Sequence, residues 1–443
     1  MNQKHMDEAW TGAIQALRAF LQTHNEISHA AIMSDLFGHI RIIIWPSLQD
    51  TDKAELQSAL AEASGNWWTG DLFEGNNENP VHPLAWEEGT RDRQMPQKLR
   101  LLERHRNRGA WFTKMGDPPW KTAGTVRSDG PPIIIFYSFK GGLGRSTALV
   151  SFALQRARIG ERVAVLDFDL DAPGLGNLLA ADEDGRTSPW GVVDFLLESE
   201  TPAPLSDYYH PCKRKGASGR QDIVGDGEIL VFPAGNIDDR YPGKLARIDL
   251  EPAHNDTAAT SIVKLLKHVK EDVRPNWILL DARTGLSELS GALLSGIGHL
   301  HVLFGTTSEQ SWAGLKLVIK RLGADRVLEN NPQTDCIVVQ SMVPADTVIA
   351  KEATASFALR AEDEFRELYY ATPTTEDIES DTLWDLEDMG ADDAPHVPEH
   401  LIYQPRLAHI RDISDVAELL TEDPEYRRLG TRIADRFQES EDE

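Results

Sequence analysis

The spacing of apolar residues in the first part of the chain predicts alternating helices and strands. Apolar side chains three or four positions apart predict a helix over residues 8–24; they are Trp10, Ile14, Leu17 and Leu21. The β-branched run IRIIIW at 40–45, closed by a proline, predicts a strand. Two further helices are expected over 53–63 and 96–106, with a loop rich in Trp, Gly and Asn at 65–83.

From residue 133 the pattern changes to continuous apolar runs separated by helical segments. The run IIIFYS is followed by a Gly-rich turn and by a helix predicted over 145–160. Further apolar runs predict strands over 161–169, 228–235, 276–282, 301–308 and 336–344. Buried strands that alternate with helices indicate a mostly parallel sheet with helices on both faces. The predicted fold class is therefore α/β, preceded by a smaller α+β module.

Shifts in composition indicate where the domains meet. Segment 115–132 is rich in Pro and Gly, so we place a boundary within it, between an N-terminal module over 1–127 and a larger domain over 128–443. An acidic stretch with scattered prolines, about 371–400, predicts a solvated insertion in the larger domain. The N-terminal module suggests no function, and its tryptophans are expected in its core; they include Trp67, Trp68 and Trp86.

Charge and cysteine content narrow the class of protein. The chain has 443 residues and a formal net charge of −26, which argues against nucleic acid and favours proteins or small ligands as partners. Its two cysteines, Cys212 and Cys336, form neither a disulfide framework nor a paired metal-binding motif. The N-terminus lacks the apolar core of a signal peptide, and no segment has the apolar length of a membrane span. We therefore expect a cytoplasmic protein.

The stretch FYSFKGGLGRST, from Phe136 to Thr147, has the composition of a phosphate-binding loop. A loop between a strand and a helix directs backbone N–H groups and the positive end of the helix to one point. Glycines let that backbone approach phosphate oxygens closely; they are Gly141, Gly142 and Gly144. Ser146 is placed to offer its hydroxyl to Mg²⁺, and Thr147 to contact phosphate.

Acidic residues follow two of the predicted strands. The strand VAVLDFD is followed by Leu-Asp, which places Asp167, Asp169 and Asp171 at its carboxyl end. The strand WILLDA ends in Asp281. Parallel α/β sheets bind ligands at this edge, and an aspartate there can hold a Mg²⁺-bound water. Charged residues are rarely buried without a partner, so these carboxylates favour a nucleotide and metal site over chance.

These motifs resemble those of the ParA/MinD family of deviant Walker A P-loop ATPases. KGGLGRST resembles the family's Walker A motif, LDFDLDAPGL its switch I motif and LLDARTGLSE its switch II motif. The similarity extends over about 131–342 and does not reach the N-terminal module. A subgroup with KGGxGR is found in larger bacterial signalling and defence proteins, which suggests an antiphage setting.

The resemblance implies a role for each matching residue. Lys140 matches the signature lysine, which in this family reaches the partner's phosphates across an ATP-bound homodimer. Asp169 matches the aspartate that positions the attacking water, and Arg145 stands at the position of the P-loop lysine. The implied nucleotide-binding residues are Gly141, Gly142, Leu143, Gly144, Arg145, Ser146, Thr147, Gln340 and Ser341. The implied metal residues are Ser146, Asp167 and Asp281, for ATP with Mg²⁺.

Arg145 departs from the family pattern, because nearly every P-loop has lysine there. A guanidinium keeps the positive charge but is larger and makes a planar two-pronged contact. Since the acids are retained, we expect slow hydrolysis. The resemblance implies a nucleotide-dependent dimerisation switch that acts on a protein effector. The alternative is a non-hydrolysing nucleotide-binding protein in a constitutive assembly.

Other functions of related proteins fit this chain less well. Iron–sulfur chemistry would need paired cysteines, a tyrosine kinase a Tyr-rich tail, and plasmid partition a basic surface. The C-terminal apolar stripe is expected to pack on its own domain and not on a membrane, since the acidic terminus ESEDE would be repelled by anionic lipid. The stripe consists of Tyr426, Leu429, Ile433 and Phe437.

Overall fold

The computed structural model describes residues 4–35, 38–76, 78–103, 110–111, 115–122, 129–182, 184–213, 222–250, 258–328, 331–370, 383–410 and 412–437. The chain divides into two compact units, Met1–Gly109 and Ala110–Glu443. Each unit has its own sheet: five strands in the first and eight in the second.

The N-terminal unit is a mixed sheet with helices. Its elements are α1 (Met6–Thr23), β1 (His29–Ser34), β2 (Ile40–Trp45), α2 (Asp50–Ser64), β3 (Trp68–Glu74), α3 (Val81–Glu88), β4 (Thr90–Arg91) and β5 (Leu99–Glu103). The strand order is β3-β2-β1-β5-β4, with β1/β2 and β4/β5 antiparallel. Apolar side chains of α1 and α2 cover one face of this sheet, as the helical spacing predicted. Trp67 and Trp68 pack against that core, half-buried.

Two expectations for this unit are wrong. The helix expected over 96–106 is strand β5 in its described part, which pairs in parallel with β1. The sequence LRLLE carries leucines that fit either period, and pairing with the buried strand β1 decides the outcome. The loop expected over 65–83 contains strand β3 and the start of α3. Because this segment is rich in Gly and Asn, the sequence did not indicate that it contains an edge strand with a half-exposed face.

The larger unit is built on the predicted parallel sheet. Its strands are β6 (Ile133–Ser138), β7 (Arg162–Phe168), β8 (His210–Pro211), β9 (Glu228–Phe232), β10 (Trp277–Ala282), β11 (Leu300–Gly305), β12 (Asp335–Val343) and β13 (Glu399–Ile402). The order is β13-β12-β11-β6-β10-β7-β9-β8, and among the described residues only the β8/β9 pair of this sheet is antiparallel. The six strands that the apolar runs predicted are therefore confirmed. Strand β6, which leads into the glycine loop, lies between β11 and β10 in the interior of the sheet.

Successive side chains of each strand point to opposite sides of the sheet, so both faces of the sheet are apolar. Helices cover both of these faces. The helices are α4 (Arg145–Arg158), α5 (Leu175–Leu178), α6 (Val192–Leu197), α7 (Tyr241–Leu250), α8 (Ala258–His268), α9 (Glu288–Leu293), α10 (Glu309–Leu322), α11 (Ala324–Leu328), α12 (Thr347–Leu368), α13 (Ala417–Glu422) and α14 (Pro424–Asp435). Among the described residues, no helix has the length and apolar content that crossing a bilayer would require.

The segment before β6 belongs to the larger unit by its contacts. Trp120 is buried in the core of that unit, with Trp111 and Met115 packed against it. The indole N–H of Trp120 donates to the carbonyl of Pro131 at 2.8 Å. The contacts thus divide the chain after residue 109, upstream of the Pro- and Gly-rich stretch in which we place the boundary at 127. Prolines and glycines mark an irregular backbone here, and the tryptophans between them hold it to the core.

The acidic segment and the C-terminal helix both contribute to the core of the larger unit. Residues 371–382 of the acidic segment lie outside the described residues. Its described part is not solvated throughout, since Trp384 packs against the core and its indole N–H donates to Asp335 at 3.1 Å. In α14, Tyr426, Leu429 and Ile433 are buried, as expected of the apolar stripe. Helices α13 and α14 both pack against α4, which begins at the glycine loop.

Candidate functional site

The glycine loop lies between β6 and α4, as the sequence predicted. Gly144 is the residue before the first turn of α4 and has φ of 74°, a left-handed conformation that favours glycine. Gly142 also has φ of 74°. A Cβ atom at Gly141, Gly142 or Gly144 would meet no atom within 4 Å, so the space above the loop is open. Backbone and helix end together form a cradle for an anion.

Strands β7 and β10 bring the acids beside this loop. In the parallel β7/β10 pair, Asp167 and Asp281 stand opposite each other in register. Asp281 is buried and lies at the end of β10, next to β6 in the sheet. Asp169 follows the last residue of β7 and remains partly exposed. The predicted meeting of P-loop and carboxylates at one edge of the sheet is present in the structure.

Arg145 forms the centre of the site. Its Nε donates to Oδ1 of Asp281 at 2.5 Å, and its Nη2 donates to Oδ2 of Asp169 at 2.9 Å. Ser146 Oγ donates to the other oxygen of Asp281 at 2.6 Å. The guanidinium thus bridges the aspartates of both switch motifs, and the serine completes the contact with Asp281.

The electrostatics of this cluster follow from its burial. Burial by itself would lower the pKa of Arg145, but the nearby Asp281 and Asp169 raise it above its ordinary value. Burial raises the pKa of Asp281, and the charge of Arg145 and hydrogen bonds from Ser146 and Arg145 offset part of this effect. Arg145 Nη1 is buried and has no hydrogen-bond partner among the described residues. The N–H donors of Arg145 Nη1 are therefore not used by these described groups.

Asp167 is engaged with the backbone of the loop after β7. It accepts hydrogen bonds from the N–H groups of Asp169 at 3.1 Å, Gly174 at 3.1 Å and Leu175 at 3.0 Å. Burial, together with the charge of Asp281, raises the pKa of Asp167 to about 7, against the lowering effect of these bonds. Asp167 therefore holds the loop that carries Asp169. It also lies beside Asp281 on the neighbouring strand.

The remaining predicted residues fall into two groups, one beside this centre and one on β12, two strands away from β6. Lys140 is exposed, and Thr147 and Leu143 belong to the same loop and helix start. Asp171 pairs with Arg283, which adds a direct link between the loops after β7 and β10. Gln340 and Ser341 are buried near the end of β12, and β11 separates this strand from β6. Gln340 Nε2 donates to the carbonyl of Ala353 at 3.2 Å.

Sequence reasoning missed two residues that hold the loop after β10. The hydroxyl of Tyr137, on β6, donates to the carbonyl of Gly285 at 3.0 Å. Ser290, on α9, donates to the carbonyl of Arg283 at 2.8 Å. Tyr137 stands within the FYSFKGGLGRST stretch, but neither side chain has a motif role, because each acts on a backbone carbonyl that any sequence would supply. Only the three-dimensional contact identifies them.

No protein-family model matches the chain. A solved structure of pNOB8 ParA bound to nonspecific DNA has a TM-score of 0.43 and 16% identity, and the match covers 69% of this chain and 99% of that one. The likeness is to ParA and MinD proteins. MinD from Pyrococcus horikoshii OT3, complexed with Mg-ADP, gives 0.40 and 17%, covering 70% and 96%. The MinC:MinD complex of Aquifex aeolicus gives 0.40 and 15%, covering 70% and 96%.

A shorter match is to a curated protein of another kind. The iron–sulfur cluster carrier protein of Salmonella typhimurium is 42% identical over 60 residues, which is 14% of this chain and 16% of that protein. The chain thus spans about a sixth of the length of the curated relatives that it matches. Cys212 and Cys336 are both free and buried, and they lie in separate core clusters. Burial raises the pKa of both thiols above their ordinary value.

Proposed function

We propose that the chain is a ParA/MinD-type ATPase that binds ATP with Mg²⁺ and hydrolyses it slowly. The observation that carries the proposal is the bridge from Arg145 to Asp169 and Asp281, with Ser146 bound to Asp281. It brings together, at the end of one helix, a cation for phosphate, two groups suited to Mg²⁺ and a carboxylate suited to a water molecule. A purely structural ion cluster would not need the open glycine cradle beside it.

Each residue of the cluster has a distinct task in this proposal. The backbone of the glycine loop binds the phosphates, and Gln340 and Ser341 contact the base. Ser146 and Asp281 hold Mg²⁺ and its water, with Asp167 supporting them. Arg145 exchanges its carboxylate partners for phosphate oxygens, using Nη1 first, because that arm has no protein partner among the described residues. This exchange frees Asp169 to orient the attacking water.

The proposal includes a dimerisation switch that acts on a protein effector. Lys140 is exposed beside the phosphate loop, where a second copy would bring its own phosphates within reach. Apolar side chains are also exposed at the carboxyl end of the sheet: Leu286 at 47%, Val348 at 74% and Ile349 at 55%. They follow β10 and β12 and would be covered by such a partner. We assign the switch to antiphage defence from the subgroup resemblance alone.

Asp169→Ala tests the enzymatic part. ATP turnover by the purified full chain in Mg²⁺ is expected to fall roughly a hundredfold, because the group that orients the water is lost. The matched control is Asp182→Ala, since Asp182 pairs with the surface residue Arg186 outside the cluster. Turnover that survives in the Asp169 variant at the control's level would contradict the assignment.

The alternative is a nucleotide-binding protein that does not hydrolyse. The same bridge gives it some support, because Arg145 already satisfies both aspartates without a ligand. ATP binding with no Mg²⁺-dependent phosphate release from the unmodified chain would favour this alternative. The Asp169 variant would then bind ATP like the unmodified chain.

A further inference from the structure

The segment before the larger sheet forms a strap on the helix that follows switch II. We define the strap as the described residues 110–111 and 115–122. It precedes β6 in the chain and follows the N-terminal unit, so it is the path by which that unit is joined to the nucleotide-binding fold. Helix α9 begins seven residues after Asp281, with Ser287 as its N-cap.

The first two residues of the strap bind the start of α9. The backbone N–H of Ala110 donates to Glu288 Oε1 at 2.6 Å, and the indole N–H of Trp111 donates to the carbonyl of Ser287 at 2.7 Å. The Trp111 ring lies so close to Gly291 that a Cβ atom there would meet the ring at 2.7 Å. A single ring therefore occupies the space that a larger residue at 291 would need.

Two arginines hold the strap from the other side. Arg321, on α10, donates from Nη2 to the carbonyl of Ala110 at 2.7 Å and from Nη1 to the carbonyl of Trp111. Its Nε donates to the carbonyl of Leu294 at 3.1 Å, just after α9. Arg326 donates to the carbonyl of Gly116 at 2.8 Å. Arg321 thus ties the strap and the end of α9 to one side chain.

The contacts continue from α9 to the nucleotide site. Ser290 Oγ donates to the carbonyl of Arg283, within the switch II loop. Two residues earlier stands Asp281, held by Arg145 and Ser146. The path from strap to carboxylate therefore consists of direct hydrogen bonds and one short loop. A change in this loop on nucleotide binding would have to move α9 or break the bond to Ser290.

We propose that the strap is a latch on the switch II helix, so that nucleotide binding loosens the strap and release of the strap favours nucleotide binding. This inference rests on the proposed function, because it needs a nucleotide at the cluster. The strap stabilises the arrangement in which Asp281 is engaged by protein groups. Binding of Mg²⁺ and nucleotide has to rearrange that aspartate, so the latch reduces the apparent affinity. Coupling of this kind is reciprocal.

Gly291→Ala tests the latch without touching the nucleotide site. The new methyl group displaces Trp111, and we expect the full chain to bind a non-hydrolysable ATP analogue with Mg²⁺ about fivefold more tightly or better. Gly243→Ala is the matched control, since Gly243 is also helical and a Cβ atom there would meet nothing within 4 Å. Trp111→Ala is a second variant that removes the ring itself and is expected to act in the same direction.

The reciprocal effect is measured by hydrogen exchange of the unmodified chain. The analogue is expected to speed amide exchange of residues 115–122 while it slows exchange in the glycine loop. The latch would be overturned if both strap variants bind the analogue no more tightly than the control. It would also be overturned if amide exchange in the strap does not change when the nucleotide analogue binds. These results leave the proposed function standing if the analogue binds. Absence of analogue binding by the unmodified chain removes both proposals together.

Discussion

At the scale of single residues, the geometry of Arg145 explains how the start of α4 is held to the acids that follow β7 and end β10. A guanidinium presents donors in a planar fork, so one side chain reaches Asp281 with Nε and Asp169 with Nη2. A lysine has one point charge and cannot present the same two arms. Arg145 is only 6% exposed and Asp281 2%, so the pairing compensates carboxylates that are costly to bury alone.

Arg145→Ala is expected to lower the free energy of unfolding by about 3–5 kcal/mol, because it leaves buried carboxylates without their cation. Urea unfolding followed by circular dichroism measures this change. Arg145→Lys keeps the charge and is expected to lose less. Equal stability of the alanine variant and the unmodified chain would show that the bridge is not formed in solution.

The glycine loop and the acids beside it could be located at this scale because their residues are chemically distinctive and follow strands that the apolar pattern predicts. The glycines, Ser146 and the aspartates after β7 and β10 all lie where the strand pattern placed them. The bridge between Arg145 and two distant aspartates could not be predicted, since it depends on how the side chains meet across three strands. The tyrosine that holds Gly285 was missed for the same reason.

At the scale of elements, the six interior strands of the larger sheet were predictable, whereas β1, β5 and the short edge strands were not. Strands β6, β7 and β10 are buried along nearly their whole length, which requires continuous apolar runs. Strands β4 and β8 have two residues each and leave no pattern. Strand β5 carries a pattern that also fits a helix, so only its pairing with β1 distinguishes the two.

His299 connects the strap to β6 and gives a pH prediction. Its Nδ1 accepts from the N–H of Ile133 at 2.9 Å, and its Nε2 donates to the carbonyl of Trp120 at 2.8 Å. Burial lowers the pKa of His299 to about 4, from 6.5 in the unfolded chain. The unfolded state therefore binds the proton first, and the stability contributed by neutral His299 is complete above pH 6.5 and is lost as the pH falls towards 4.

Between about pH 7 and pH 5 this residue is expected to account for a loss of about 2 kcal/mol in the free energy of unfolding. His299→Asn keeps an acceptor for Ile133 and cannot titrate, so its stability should fall less over the same range. Urea titrations at both pH values compare the two proteins. Identical pH dependence would contradict the burial of a neutral His299.

At the scale of the whole molecule, the strap shows what a boundary drawn from composition cannot reveal. Prolines and glycines at 115–132 mark an irregular segment, and irregular segments commonly join domains. Two tryptophans make the difference: Trp120 within this segment and Trp111 just before it anchor the chain here to the larger unit. The role of the N-terminal unit is likewise not encoded in a local motif. Because the chain carries a strong negative charge, two copies repel each other. A favourable contact at the bound nucleotide would be needed to bring them together.

The most direct test of the central claim is the molar mass of the full chain by light scattering, with and without ATP and Mg²⁺. The unmodified chain is expected to double its mass only with ATP, and Lys140→Ala is expected to stay monomeric. Lys316→Ala serves as the control, because this half-exposed lysine pairs with Glu364 in its own subunit. If the molar mass does not change with ATP in either the unmodified chain or the Lys140 variant, the switch is contradicted. The loop would then be an anchor for nucleotide in a constitutive assembly.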